Sequence, residues 1–70
     1  MIEVKKEYKQ HALGLNENFF FDTEEDAMTY ILECMYSYTR DLDAETEKIF
    51  EKETKSSQCF DHGDFYLYIT

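Results

Sequence analysis

The residues best suited to chemistry lie near the end of the chain, where Cys59 and His62 are three positions apart and Asp64 follows. A structural zinc site needs about four such ligands, usually supplied as two matched pairs. Only Cys34 and His11 remain to complete a site, and each is alone in its own segment. We therefore predict neither a metal site nor a cofactor.

Nucleophilic catalysis by either cysteine is disfavoured by its surroundings. A reactive thiolate needs an electropositive setting, whereas Cys34 belongs to an apolar helical stripe and Cys59 is followed by Asp61 and Asp64. The sequence has no nucleophile-elbow motif and no phosphate-binding glycine loop, because it contains only two glycines. A hydrolase built on paired carboxylates would need a cleft, for which 70 residues leave little room. We predict that the protein is not an enzyme.

Carboxylates are the other unusual feature. The chain has 16 Asp and Glu against 7 Lys and Arg, a net charge of −9. Residues 22–47 hold nine of the acidic residues and one arginine, which gives −8, whereas the charges of residues 1–21 sum to zero. Nucleic acid and anionic lipid would both repel such a chain, so we expect no direct binding to either.

The acidic segment predicts a partner-binding surface. Its carboxylates form two clusters that would flank a helix about 25 Å long. Such a surface can stand in for backbone phosphates and occupy the basic site of a nucleic-acid-processing protein. The alternative is that the acids cap helices and keep a small protein soluble. Both interpretations are open at this point, and the candidate residues are Glu24, Glu25, Asp26, Glu33, Asp41, Asp43, Glu45 and Glu47.

Two β-hairpins and a long helix are predicted to position these residues. Residues 2–9 alternate apolar and charged side chains and predict a strand, which Lys6 marks as an edge or a strand end. A turn and a second short strand over residues 19–21 complete the first hairpin. Residues 58–60 and 65–70, joined by a turn that contains Gly63, predict the second.

The helix between the hairpins is predicted over residues 24–40, after a capping Asp22 or Thr23, because apolar side chains recur there at helical spacing. The apolar stripe consists of Ala27, Tyr30, Ile31, Cys34, Met35 and Tyr38. Residues 44–55 predict a second short helix, with a strand over residues 48–53 as the alternative. The fold class is therefore α+β, in one domain over residues 1–70, with a small antiparallel sheet packed against the long helix.

The last strand supplies a second candidate interface. Tyr66 and Tyr68 lie on the face opposite Phe65, Leu67 and Ile69. Tyrosine is enriched at protein interfaces. The alternative function is therefore a small structural or regulatory module that assembles through this tyrosine-bearing sheet face, with a homodimer as one form.

A small, proline-free, acidic α+β domain with its charge on one face resembles the small inhibitors encoded by phages and mobile elements. These include anti-CRISPR and anti-restriction proteins that mimic DNA, and phage proteins that bind a host polymerase. The likeness is one of size and charge over the whole chain, without a shared motif, so it assigns no residue roles. It implies an inhibitor that acts in the cytoplasm of a host cell.

A cytoplasmic location is also expected from the sequence itself. The longest apolar run has five residues, far fewer than the roughly 20 that span a bilayer, and no signal-peptide pattern is visible. The two cysteines, Cys34 and Cys59, are too few for a disulfide scaffold, so we predict that both are reduced, with a single bridge between them as the alternative.

Overall fold

Two hairpins from the ends of the chain join into one sheet. The computed structural model describes residues 1–70 and contains the strands β1 (Ile2–Tyr8), β2 (Glu17–Phe21), β3 (Cys59–Asp61) and β4 (Phe65–Ile69). Their order is β2-β1-β4-β3, and every neighbouring pair is antiparallel. The predicted α+β class and both predicted hairpins are confirmed.

The position of β1 differs from the prediction. The interruption of the apolar row at Lys6 predicts an edge or a strand end, but β1 lies between β2 and β4 and continues past Lys6 to Tyr8. The lysine is accommodated because its Nζ lies 4.5 Å from the centroid of the Phe65 ring and 4.0 Å from a carboxylate oxygen of Glu17. An aromatic face and a carboxylate thus replace the solvent that the charge would otherwise need.

Two helices cover one face of the sheet. The first, α1 (Glu24–Thr39), begins at Thr23, whose Oγ1 accepts a hydrogen bond from the Asp26 amide at 3.1 Å. The second, α2 (Ala44–Ser57), confirms the predicted short helix, and the alternative strand is wrong. It returns alongside α1, so that Gln58, just past its end, donates from Nε2 to Glu24. Neither helix is long and apolar enough to cross a membrane.

The core lies between α1 and the sheet. Ala27, Ile31 and Met35 are fully buried along the predicted stripe of α1. Beyond Met35 the stripe ends differently from the prediction, because Tyr38 is 42% exposed and Thr39 is buried instead. The strands contribute Val4, Phe60 and Leu67, which complete the buried apolar cluster.

Candidate partner-binding surfaces

The eight predicted carboxylates lie on the helical layer, and together they are called the acidic helical surface. Seven have exposed side chains, and Glu47 is half-buried. The set comprises Glu24, Glu25, Asp26 and Glu33 on α1, then Asp41 and Asp43 in the turn, and Glu45 and Glu47 at the start of α2.

The first cluster surrounds the beginning of α1. Glu24 faces the end of α2, where it accepts the hydrogen bond from Gln58. Asp26 is two residues further along the helix and therefore points to nearly the opposite side, towards β2, where it lines a groove with Phe21. The carboxylates of this cluster thus point in several directions and form a charged cap on the helix, where the positive end of the helix dipole stabilises them.

The second cluster lies where α1 ends and α2 begins, and part of it has a structural role. Asp43 is the N-cap of α2, and its Oδ1 accepts a hydrogen bond from the Thr46 amide at 2.7 Å. This bond lowers the pKa of the Asp43 carboxyl below its usual value. Glu47 accepts a hydrogen bond of 3.5 Å from Thr39 Oγ1. The capping interpretation therefore accounts for Asp43, whereas Asp41 and Glu45 make no side-chain hydrogen bond.

None of the eight carboxylates of the acidic helical surface forms an ion pair, whereas three of the eight carboxylates elsewhere in the chain do. The chain forms three salt bridges, and none of them involves a carboxylate of this surface. Arg40, the only arginine, has no carboxylate partner. The charge of the surface is therefore not compensated from within the chain. The three pairs are Lys6–Glu17 at 4.0 Å, Lys9–Asp61 at 2.9 Å and Lys55–Glu51 at 2.8 Å.

A groove between α1 and β2 collects part of this charge. Asp26, Tyr30 and Glu33 follow each other at helical spacing on one side of α1, and Asp22 precedes them by one turn. The rings of Phe19 and Phe21 lie 5.2 and 5.4 Å from the ring of Tyr30. The α1–β2 groove has a volume of about 430 Å³, and its lining includes Asp22, Asp26, Glu33, Phe20, Phe21 and Tyr30.

The predicted binding residues do not include Asp22, which shares this groove with Asp26 and Glu33. The available signal is the seven-residue spacing of Asp26 and Glu33, which places them on one side of α1, whereas Asp22 lies outside the helix, before the N-cap Thr23. What the spacing could not show is that this side faces β2.

The tyrosine-bearing face of the sheet is exposed, but its tyrosines are engaged within the chain. Tyr68 donates a hydrogen bond from its hydroxyl to Glu7 at 2.8 Å, and this bond raises the pKa of Tyr68. The Tyr66 ring lies 4.7 Å from Lys9 Nζ, which is itself paired with Asp61. These polar contacts lie between the aromatic side chains of the face and separate them from one another.

Cys59 and His62 lie on opposite faces of the sheet. Cys59 is opposite Tyr68 on the open face, whereas His62 stacks on Phe65 at 4.3 Å under the helices. His62 shares a small groove there with Cys34. Both cysteines are free, and burial raises the pKa of each thiol. No group of three or more His, Cys, Asp or Glu side chains is arranged to hold a metal ion.

Neither family models, nor curated proteins, nor solved structures show a significant match to this chain.

Proposed function

We propose that the protein is a non-enzymatic inhibitor that occupies the basic site of a nucleic-acid-processing protein. The acidic helical surface takes the place of the nucleic-acid backbone and blocks the site by charge and bulk. The observation that carries this proposal is the lack of ion pairing, since none of the eight carboxylates is paired with a lysine or arginine of the chain.

The dimensions of the surface fit this role. The 16 residues of α1 span about 24 Å, and the two carboxylate clusters lie at its two ends. Duplex DNA of this length carries about 14 phosphates, at one charge per ~1.7 Å. The eight carboxylates thus present about half the charge of the DNA they would replace, concentrated on one helix and its flanks.

Charge complementarity of this kind acts mainly on the rate of association and on its dependence on salt. The screening length falls from about 10 Å at 0.1 M salt to about 3 Å at 1 M. Binding should therefore weaken steeply as salt rises. The tyrosine-face alternative draws less support, because Tyr66 and Tyr68 contact Lys9 and Glu7 of the same chain.

The test uses affinity capture from a cell extract by the immobilised protein. We expect retained proteins that are eluted by salt and also released by added duplex DNA, because DNA and the inhibitor would compete for one site. The variant Glu25→Gln, Asp41→Asn, Glu45→Gln should lose this capture. These three carboxylates are exposed and make no side-chain hydrogen bond or ion pair, so their neutralisation leaves the fold intact.

A matched control removes the same charge elsewhere. The variant Glu7→Gln, Glu53→Gln, Asp64→Asn neutralises three exposed carboxylates outside the acidic helical surface and breaks no ion pair, and both variants change the net charge from −9 to −6. Full capture by this control supports the acidic helical surface as the binding element. Equal loss in both variants, or capture that DNA does not release, would contradict the proposal.

A further inference from the structure

The free edge of the sheet at β2 has unpaired backbone groups whose direction follows from the pairing of β1. The amide of Thr70 donates to the Glu3 carbonyl at 3.1 Å, and the amide of Lys9 donates to the Asp64 carbonyl at 3.0 Å. Odd residues of β1 therefore face β4, and even residues face β2, because the N–H and C=O of one residue point to the same side of a strand.

The same alternation applies along β2. Val4 is opposite Phe19, and Ile2 is opposite Phe21, so these β2 residues direct their backbone groups to β1. The intervening Asn18 and Phe20 direct theirs away from β1. Since β2 is the last strand on this side of the sheet, two N–H and two C=O groups are left at an open edge.

This edge lacks the features that usually protect one. Exposed edges are commonly blocked by lysine, proline, a bulge or very short length. β2 has five residues without lysine or proline; its one charged side chain, that of Glu17, is paired with Lys6 of β1, and Phe20 is 59% exposed. The opposite edge, β3, has only three residues, and its Asp61 is paired with Lys9. The open edge at β2 is therefore the one suited to pairing.

The α1–β2 groove lies beside this edge and defines what the added strand must carry. Alternate side chains of a strand paired with β2 would lie on the helical side, about 6.8 Å apart, next to Phe21 and Tyr30. They would face Asp26 and Glu33, which are about 10.5 Å apart along α1. No cation of the chain pairs with these carboxylates. Arginine suits the groove well, because its guanidinium stacks on aromatic rings and pairs with carboxylates.

We propose that β2 and the α1–β2 groove bind an extended segment of the partner, with arginine or lysine at alternate positions, as a fifth strand of the sheet. This inference rests on the proposed function for the existence of a basic protein partner. A second copy of the chain does not fit the edge, because pairing two β2 strands would bring two uncompensated acidic grooves and two net charges of −9 together.

The first test is an NMR titration of the ¹⁵N-labelled protein with a six-residue peptide of alternating arginine and threonine, blocked at both ends. We expect shifts confined to β2 and the adjoining side of α1, with an affinity that falls as salt rises. The control peptide is N-methylated at its threonines, which face Asn18 and Phe20 in antiparallel pairing. It has the same charge but cannot pair, so equal binding of both peptides would overturn the proposal.

The second test changes the edge itself. Phe20→Pro removes an N–H that points outward and leaves the bonds to β1 in place. Phe20→Thr is the matched control, since it loses the ring but keeps the N–H. We expect Phe20→Pro to weaken peptide binding about tenfold, while Phe20→Thr binds within about twofold of the parent. Equal binding by the two variants would refute a role for the edge.

The two proposals fail in different ways. If Phe20→Pro captures the DNA-releasable protein from extract as well as the parent does, the docking edge is wrong and the inhibitor function stands. If the peptide binds as expected but no DNA-releasable protein is captured, the edge stands as a binding site for basic segments and the inhibitor function is wrong.

Discussion

Gly14, in the loop of the first hairpin, lies against the ring of Tyr8. A Cβ at this position would lie 2.7 Å from two ring atoms of Tyr8, whereas ordinary contacts are 3.4 to 4 Å. The φ angle of Gly14 is 164°, which is extended backbone that alanine also adopts. The substitution Gly14→Ala therefore acts through the collision with the ring alone.

The size of the effect depends on how firmly the ring is held. The Tyr8 ring would have to move by about 0.7 Å to reach ordinary contact distance. It is packed edge-on against Phe65 at 5.3 Å, with Lys6 Nζ 5.1 Å from its centroid. Overpacking of this kind destabilises by about 1–3 kcal/mol. For a domain of this size, each kcal/mol lowers the melting temperature by about 4–8 °C.

Thermal and urea unfolding, followed by circular dichroism, measure this effect in a double-mutant cycle. In the Tyr8→Leu background the colliding atoms are gone, so Gly14→Ala should be neutral or stabilising by up to about 1 kcal/mol. Gly63→Ala is the comparison, because Gly63 has open space around it but a φ of +107°. Its destabilisation should be independent of Tyr8. The same destabilisation by Gly14→Ala in both backgrounds would refute the steric account.

Three further predictions concern the core, an ion pair and the thiols. Ile31→Val removes one methyl group from the fully buried face of α1 and should lower the free energy of unfolding by about 0.5–1.5 kcal/mol in urea titrations; no change would place Ile31 outside the core. Lys9 lowers the pKa of Asp61, so the stability from this pair is present above pH ~4 and is lost as the pH falls through the lower folded pKa. In the Lys9→Met variant, the free energy of unfolding should therefore depend less on pH over this range. Burial raises the pKa of Cys34 and Cys59, so both thiols should react with Ellman's reagent more slowly than free cysteine at pH 8, and equally fast once urea unfolds the chain.

The helical layer was predictable because its signals are local. The spacing of Ala27, Ile31 and Met35 predicts the buried side of α1, and Thr23 with three following acids predicts its start. The strand order was not predictable in the same way. A lysine under a helical layer is unfavourable by itself. The neighbour that stabilises Lys6 is Phe65, which comes from the other end of the chain.

In the candidate site, too, features set by neighbouring residues could be predicted from the sequence, whereas features set by distant contacts could not. Exposure of Glu33 follows from helical periodicity, and the other six exposed carboxylates lie in the first turns of the helices or in the turn between them. The α1–β2 groove does not follow from periodicity, because Phe21 and Asp26 come together only when α1 packs across the sheet. For Cys59 and His62, closeness in sequence is misleading. They are three residues apart, at and just beyond β3, and their side chains lie on opposite faces of the sheet.

The distribution of ion pairs favours the proposed binding surface over a charge that serves only solubility. Net charge alone would keep the protein soluble wherever the carboxylates lay, so solubility does not require three carboxylates in one groove without a cation. Leaving them unpaired is unfavourable for the fold, by roughly 0.4 kcal/mol for two charges about 10.5 Å apart in water. Asp43 is stabilised by its capping bond, but Asp26 and Glu33 have no such contact. A basic partner would remove the repulsion, because its cations supply the pairing that the chain's own lysines give to Glu17, Glu51 and Asp61.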